Sequence, residues 1–167
     1  MFLLFKMNIN MWQTHITVAA VIEQNQKFLM VTDKISSGYK LNQPAGHLEA
    51  NEDLLMAIQR EVKEETSLDF TPQKIIGIYL FHPNPNHTYL RVCFKGVLAD
   101  ASIEVKPSPN DDGVVAAAWY SYQDLKNQAH NLRSSLVLRC IDDYLQGTEL
   151  PLETVIDYPE YQIIEID

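Results

Sequence analysis

Basic residues are scarce in this chain. Thirteen Lys and Arg stand against twenty-two Asp and Glu, a net charge of −9 at pH 7, and the basic residues nowhere cluster. That excludes a protein held to nucleic acid or to an anionic membrane by a general electrostatic field. Cysteine is scarcer still. Cys93 and Cys140 stand alone, with no Cys-x-x-Cys or Cys/His ligand spacing. That spacing argues against a zinc site, and two reduced, buried thiols in a cytoplasmic protein are expected. Long apolar runs are missing: none approaches the roughly 18 residues that a membrane-spanning helix needs. Internal repeats, low-complexity runs and linkers are also absent. What remains is a chain of 167 residues, long enough for one domain with a sizeable core and too short for two ordinary ones.

The informative stretch runs from Gln43 to Leu68. From Glu52 to Leu68 there is no Gly or Pro, and good helix formers dominate. Asn51 reads as the N-cap, with Glu52 and Asp53 in the first turn, where the helix dipole favours negative charge. At helical periodicity Leu54, Leu55, Ala57, Ile58 and Val62 form one apolar stripe. Glu61 and Glu65 fall inside or beside that stripe, and Glu64 lies at its edge. A solvated helix would turn its carboxylates outward. Glu61 and Glu65 are also four apart; at about 5 Å and an effective dielectric near 20, their repulsion is roughly 3 kcal/mol. Arg60 can reach Glu64, but one Arg cannot neutralise three partly buried glutamates. A hard divalent cation can, since it takes carboxylate oxygens and keeps positions open for water and phosphate oxygens.

The pattern resembles the Nudix box. Gly46, five residues, Glu52, seven residues, then Arg60, Glu61, Glu64, Glu65 and the aliphatic Leu68 stand at the family's spacing. Ser67 stands where the family has Gly. A Gly there supplies a left-handed turn after the helix, and Ser in that conformation costs about 1 kcal/mol unless the helix ends differently. Asn42-Gln43-Pro44-Ala45-Gly46-His47-Leu48-Glu49, and Asn131 to Ser134 with the helix that follows, look like a group of bacterial phosphatases within that family. The likeness runs from about His15 to Leu152.

The resemblance implies an α/β Nudix fold, an α/β/α sandwich with a mixed β-sheet. It implies metal ligands at Glu61, Glu64 and Glu65 and at a carbonyl of Ala45 or Gly46, with Arg60 orienting the glutamates and Glu52 as its partner. The cofactor implied is Mg²⁺, with Mn²⁺ as a substitute. The activity implied is hydrolysis of phosphoanhydride bonds in nucleoside tri- and diphosphates, or in a small pyrophosphate such as that of the thiamine pyrimidine precursor. Two other readings are a regulatory Nudix domain that only binds nucleotide and an enzyme trimming RNA 5′ ends. The complete carboxylate set argues against the first, and the acidic charge against the second.

Residues 1–12 read as a peripheral extension, with Met7 and Met11 as alternative starts, 13–152 as the domain, and 153–167 as a tail packed on it. His15–Glu23 reads as a strand buried on both faces, in a hairpin with Lys27–Asp33. Lys34–Lys40 reads as a polar loop. Gly46 permits close approach of backbone to a metal or phosphate, and His47 is either a phosphate contact or a histidine packed on its own turn. Further strands are expected at Gln73–Phe81, Thr88–Leu98 and Val114–Ser121. A short helix is expected at Tyr122–Asn127, with Ser121 as its cap, and a longer one begins at Leu132 or Ser134 and runs to Gln146. His82–His87 reads as a loop on the substrate side. Asp111 and Asp112, in the long loop from Asp100 to Gly113, are either catalytic carboxylates or an Asx turn. Glu64, Asp111 and Asp112 are the candidates for the base. Arg91 is either a solvated charge or a phosphate ligand, and Arg133 is a second candidate contact. Tyr39, Phe81 and Tyr89 could stack a base. The partner expected is a small phosphoanhydride, with no nucleic acid or membrane, and a monomer or homodimer.

Overall fold

A computed structural model describes residues 14–100, 102, 105 and 113–158. The N-terminal extension, Asp111, Asp112 and the last nine residues lie outside the described residues. The strands are β1 (Thr14–Val21), β2 (Glu23–Gln24), β3 (Lys27–Ile35), β4 (Gly38–Asn42), β5 (Ala45–His47), β6 (Phe70–Asn84), β7 (His87–Leu98), β8 (Val114–Ser121) and β9 (Leu150–Pro151). The helices are α1 (Leu54–Thr66), α2 (Tyr122–Asn127) and α3 (Leu136–Leu145).

One sheet has the order β5-β1-β7-β6-β9, with β1 and β7 parallel and the other pairs antiparallel. In the second sheet β3 carries β2 and β4 along one edge and β8 along the other. The continuous apolar character of β1 follows from cover on both faces. Val18, Ala20 and Ile22 pack with Ala57, Ile58 and Val62 of α1. The intervening Ala19 and Val21 pack with Val137, Cys140 and Ile141 of α3. The layers are therefore helix, sheet, helix, as the α/β/α expectation requires. Ile58 and Val62 are fully buried, and each contributes roughly 1.5–3 kcal/mol by burial.

Four expectations are corrected. β1 does not pair with β3. After Val21 the chain crosses between sheets, and only Glu23–Gln24 forms the hairpin with Lys27–Phe28, through a turn with φ of 51° at Asn25 and 61° at Gln26. Lys34–Lys40 is not an open loop, because β4 pairs with β3 from Gly38 onward. The helix starts later than expected. Asp53, not Asn51, is the N-cap and accepts the Met56 N–H at 2.7 Å, so Glu52 lies outside the first turn. Strand β6 runs through Pro83 to Asn84, so the expected loop shrinks to a tight turn into His87. The short helix and its cap fall as expected: the Ser121 hydroxyl accepts the Asp124 N–H, and the Asp124 carboxylate accepts the Ser121 N–H. At the end of the expected domain range, Leu150–Pro151 adds an edge strand to β6. Ser67 takes the left-handed conformation itself, at φ 62° and ψ 11°, and donates its N–H to the Lys63 carbonyl. The serine bears the strain, and the helix exit keeps the glycine geometry.

Candidate active site

The site forms where α1 meets the edge strand β5. Helix periodicity places Glu61 and Glu65 on the face turned toward the sheet, where only 9% and 6% of their surfaces are exposed. Each has a separate partner. Glu65 accepts the Ala45 N–H through Oε2 at 2.8 Å. Glu61 accepts from Arg60 Nη1 through Oε1 at 2.7 Å. Glu64 is half-exposed and meets the same Nη1 at 3.1 Å through Oε2.

Arg60 is the hub. Its Nε and Nη2 grip Glu52 as a fork, at 3.0 and 2.7 Å, and Nη2 also donates to the His47 carbonyl at 3.0 Å. A planar guanidinium suits this because its N–H groups leave in fixed directions. The Glu52 fork raises the Arg60 pKa, and the same hydrogen bond lowers that of Glu52. Burial raises the Glu61 pKa, with Arg60 opposing it. Four carboxylates (Glu49, Glu52, Glu61 and Glu64) lie within 4.0 Å of one guanidinium, leaving three formal negative charges on the group, with Glu65 alongside on the Ala45 N–H.

Gly46 also makes room for a side chain of the facing helix. A Cβ at that position would lie 2.0 Å from Glu61 Oε1, so the space of a side chain is filled by the Glu61 carboxylate. Among the described residues, no three carboxylate, imidazole or thiol groups already converge as a metal cage. The donor set nevertheless fits a hard divalent cation. It consists of carboxylate oxygens at a strand edge kept clear by glycine, with a surplus of negative charge and one carboxylate whose burial needs an offsetting cation.

A cavity of ≈ 340 Å³ opens beside this edge. It lies on the α3 side of the sheet, since Thr17 shares the strand parity of Ala19 and Val21. Ala45, Gly46 and His47 line it and join it to the carboxylates on α1. Arg91, Arg133, Phe81 and Tyr89 line it too, so four candidate contacts fall together. Arg91 is paired in register with Thr17 and has a buried Nη1 without a partner, so it is not simply a solvated charge. Arg133 lies 3.7 Å from Asp33 through Nε. The His47 ring rests edge-on against His15 at 5.6 Å. Burial lowers its pKa, with His15 and Arg91 adding to the effect. Tyr39 is exposed and does not line the cavity. His82 and His87 bond to Thr88 and Asn84 respectively, not to a shared ligand. The sequence reading missed Thr17, Asp33 and Asn42. The signal available was a polar residue inside each of two apolar strands, β1 and β3; Asn42 enters the sequence reading only as part of the family resemblance.

This architecture sets an Arg-organised glutamate helix at a sheet edge with a cavity alongside. The NUDIX domain family model matches residues 13–139. Phosphatase NudJ of Escherichia coli (strain K12) is 37% identical over 149 residues, covering 89% of this chain and 94% of that protein. The protein of the same name from Shigella flexneri has the same identity and coverage. A NUDIX hydrolase structure from Nitrosomonas europaea aligns with a TM-score of 0.79 and 39% identity over 87% of this chain and 98% of that one. The MutT protein structure from Methanosarcina mazei Go1, at 22% identity and a TM-score of 0.66, shares the fold. The chain belongs to the Nudix family and is a Nudix hydrolase, an enzyme of a class that acts on small molecules and generally uses divalent metal ions. No helix among the described residues is long and apolar enough to cross a membrane.

Proposed function

We propose that this enzyme hydrolyses a phosphoanhydride bond of nucleoside tri- or diphosphates, or of a related small pyrophosphate such as that of the hydroxymethylpyrimidine of the thiamine pathway, with Mg²⁺ as the ion and Mn²⁺ as a substitute. One observation carries the reading: Arg60 gathers Glu52, Glu61 and Glu64 at the Gly46 edge, next to a cavity holding Arg91 and Arg133. Glu61, Glu64 and Glu65, with a carbonyl of Ala45 or Gly46, would hold the ion. When bound, the ion neutralises phosphate oxygens and makes its water more acidic.

The remaining work falls to the chain. Arg60 sets the direction of the Glu61 and Glu64 carboxylates, and the Ala45 N–H sets that of Glu65. Glu64 meets Arg60 through Oε2, which leaves Oε1 to take the proton of the attacking water. Asp111 and Asp112 stay as alternative bases. Arg91 and Arg133 contact the phosphates, with His47 at the rim. The enzyme works in the cytoplasm as a monomer or homodimer.

The test is a panel of nucleoside di- and triphosphates, the pyrimidine pyrophosphate and an end-labelled RNA, each with Mg²⁺. Phosphate is assayed with and without added pyrophosphatase. Turnover of a small phosphoanhydride that Glu65→Gln abolishes is the expected result. No turnover of any member, or a fully active Glu65→Gln enzyme, refutes the proposal. Cleavage of RNA alone would favour the 5′-end reading.

A further inference from the structure

Asp33 is a carboxylate in the wall of a cavity that also holds Arg91 and Arg133. A negative charge there repels a phosphate-bearing ligand, so its cost to binding has to be offset, and its neighbours show how. Asp33 stands on β3 where the pairing with β8 shifts register, between Thr32 and Asp33. An irregularity of that kind re-aims a side chain. Its Oδ2 accepts Asn42 Nδ2 at 3.2 Å, and Arg133 Nε lies 3.7 Å from the same oxygen.

The main chain of Arg133 is tied down at the same place. Its N–H donates to the Leu41 carbonyl at 2.7 Å, and Leu132 bridges to Leu41. Asn42, the next residue of β4, is buried, so Asp33 is propped from behind. The second sheet therefore meets Arg133 twice, at the backbone and at Nε. A guanidinium is planar, and its N–H groups leave in fixed directions. With Nε facing Asp33, the end-on pair Nη1 and Nη2 is directed elsewhere. Neither makes a hydrogen bond among the described residues, and the Arg133 side chain is half-exposed. Such a pair matches two oxygens of one phosphate.

We infer that Asp33, propped by Asn42, is a positioning residue: it holds the guanidinium of Arg133 so that Nη1 and Nη2 meet phosphate oxygens of the substrate. The inference rests on the reading of Arg133 as a phosphate contact. It carries a sign. If Asp33 acted on the substrate by charge alone, Asp33→Asn would remove a repulsion and tighten binding. If it positions Arg133, the same change releases the guanidinium and weakens binding, although the protein has become less negative.

Steady-state kinetics on the best substrate of the panel, and calorimetry with inorganic pyrophosphate, compare the wild type with Asp33→Asn, Arg133→Met and the double variant. All are made as the full chain, with thermal melting on each sample. Arg133→Met should raise KM and weaken pyrophosphate binding by about tenfold. Asp33→Asn should weaken both by about threefold or more while kcat stays within about twofold, because a contact made equally in ground and transition states moves KM alone. In the Arg133→Met background the Asp33→Asn effect should vanish or turn into tighter binding. Asn42→Leu, which leaves the charge in place, carries the same cycle if Asp33→Asn melts too early to assay; its loss of binding should also vanish without Arg133. Binding that tightens or stays unchanged in Asp33→Asn, or that weakens equally with and without Arg133, overturns the inference and leaves the Arg133 contact standing. An Arg133→Met enzyme with unchanged KM and pyrophosphate affinity overturns the phosphate contact itself, and the inference with it.

Discussion

Replacing Gly46 by alanine adds one methyl group where Glu61 already stands. The added carbon would lie 2.0 Å from Oε1, 2.1 Å from Cδ and 2.3 Å from Oε2. Non-bonded carbon and oxygen settle at roughly 3.5 Å, so the carboxylate must retreat by about 1 Å or more. The obstruction is the end of a flexible side chain, and Gly46 is not in the left-handed region, so alanine meets no backbone strain. The fold should survive. What is lost is position: the Glu61–Arg60 contact at 2.7 Å breaks or lengthens, forfeiting a charge-assisted hydrogen bond of about 1.5–3 kcal/mol. Glu61 is already held against its burial, so part of that loss returns as solvation. The net fall in stability should be about 1–2 kcal/mol. Misplacing a reactive group by about 1 Å is enough for roughly a hundredfold loss of rate. Steady-state kinetics on the best substrate of the panel, with thermal melting on the same sample, checks this. A kcat within about threefold of wild type would refute the claim that Gly46 exists to seat Glu61. A variant that does not fold would refute the claim that its role is local.

Three further outcomes follow from the same geometry. Ser67→Gly relieves a left-handed serine and should raise stability by about 0.5–1 kcal/mol in urea denaturation, with turnover unchanged. Thr17→Val removes a buried hydroxyl without a partner and should stabilise the protein by about 1 kcal/mol, read by thermal melting; an unchanged or lower midpoint would contradict it. Glu52 is held below its ordinary value of 4.5 by Arg60, so the folded state binds fewer protons than the unfolded one. Its stabilisation is complete above that value and is lost as pH falls through the depressed pKa. Denaturation midpoints from pH 7 to pH 3 should show a shallower acid decline in Glu52→Gln than in wild type; parallel declines would contradict it.

Much of this site was legible in the chain because its chemistry is carried by one helix. Positions 61 and 65 share a face by helical geometry alone, and so do the residues that bury them. The Arg60–Glu52 pairing was readable only through the family pattern, since no periodicity links a helix to the turn before it. The start of α1 was misread because both Asn51 and Asp53 are good caps. The choice fell to Asp53 when Asn51 took φ 67° in the preceding turn. Strand β4 was hidden by its Gly and Lys residues, which suit a loop equally well until β3 offers an edge to pair with. Arg91 stayed ambiguous because strand alternation assigns it a face without saying whether that face is water or cavity.

By itself the sequence determined the carboxylate helix, the strand buried on both faces and the family to which they belong. These are local matters: periods of 3.6 and 2, caps, and residue types at fixed spacing. Only the tertiary structure decided what lies against Gly46, who satisfies Glu65, and that Thr17, Asn42 and Arg91 surround one space. Those depend on the register of β1 against β5 and β7, and on how the second sheet presents β4. Register is set by packing between segments tens of residues apart, and no spacing within one segment records it.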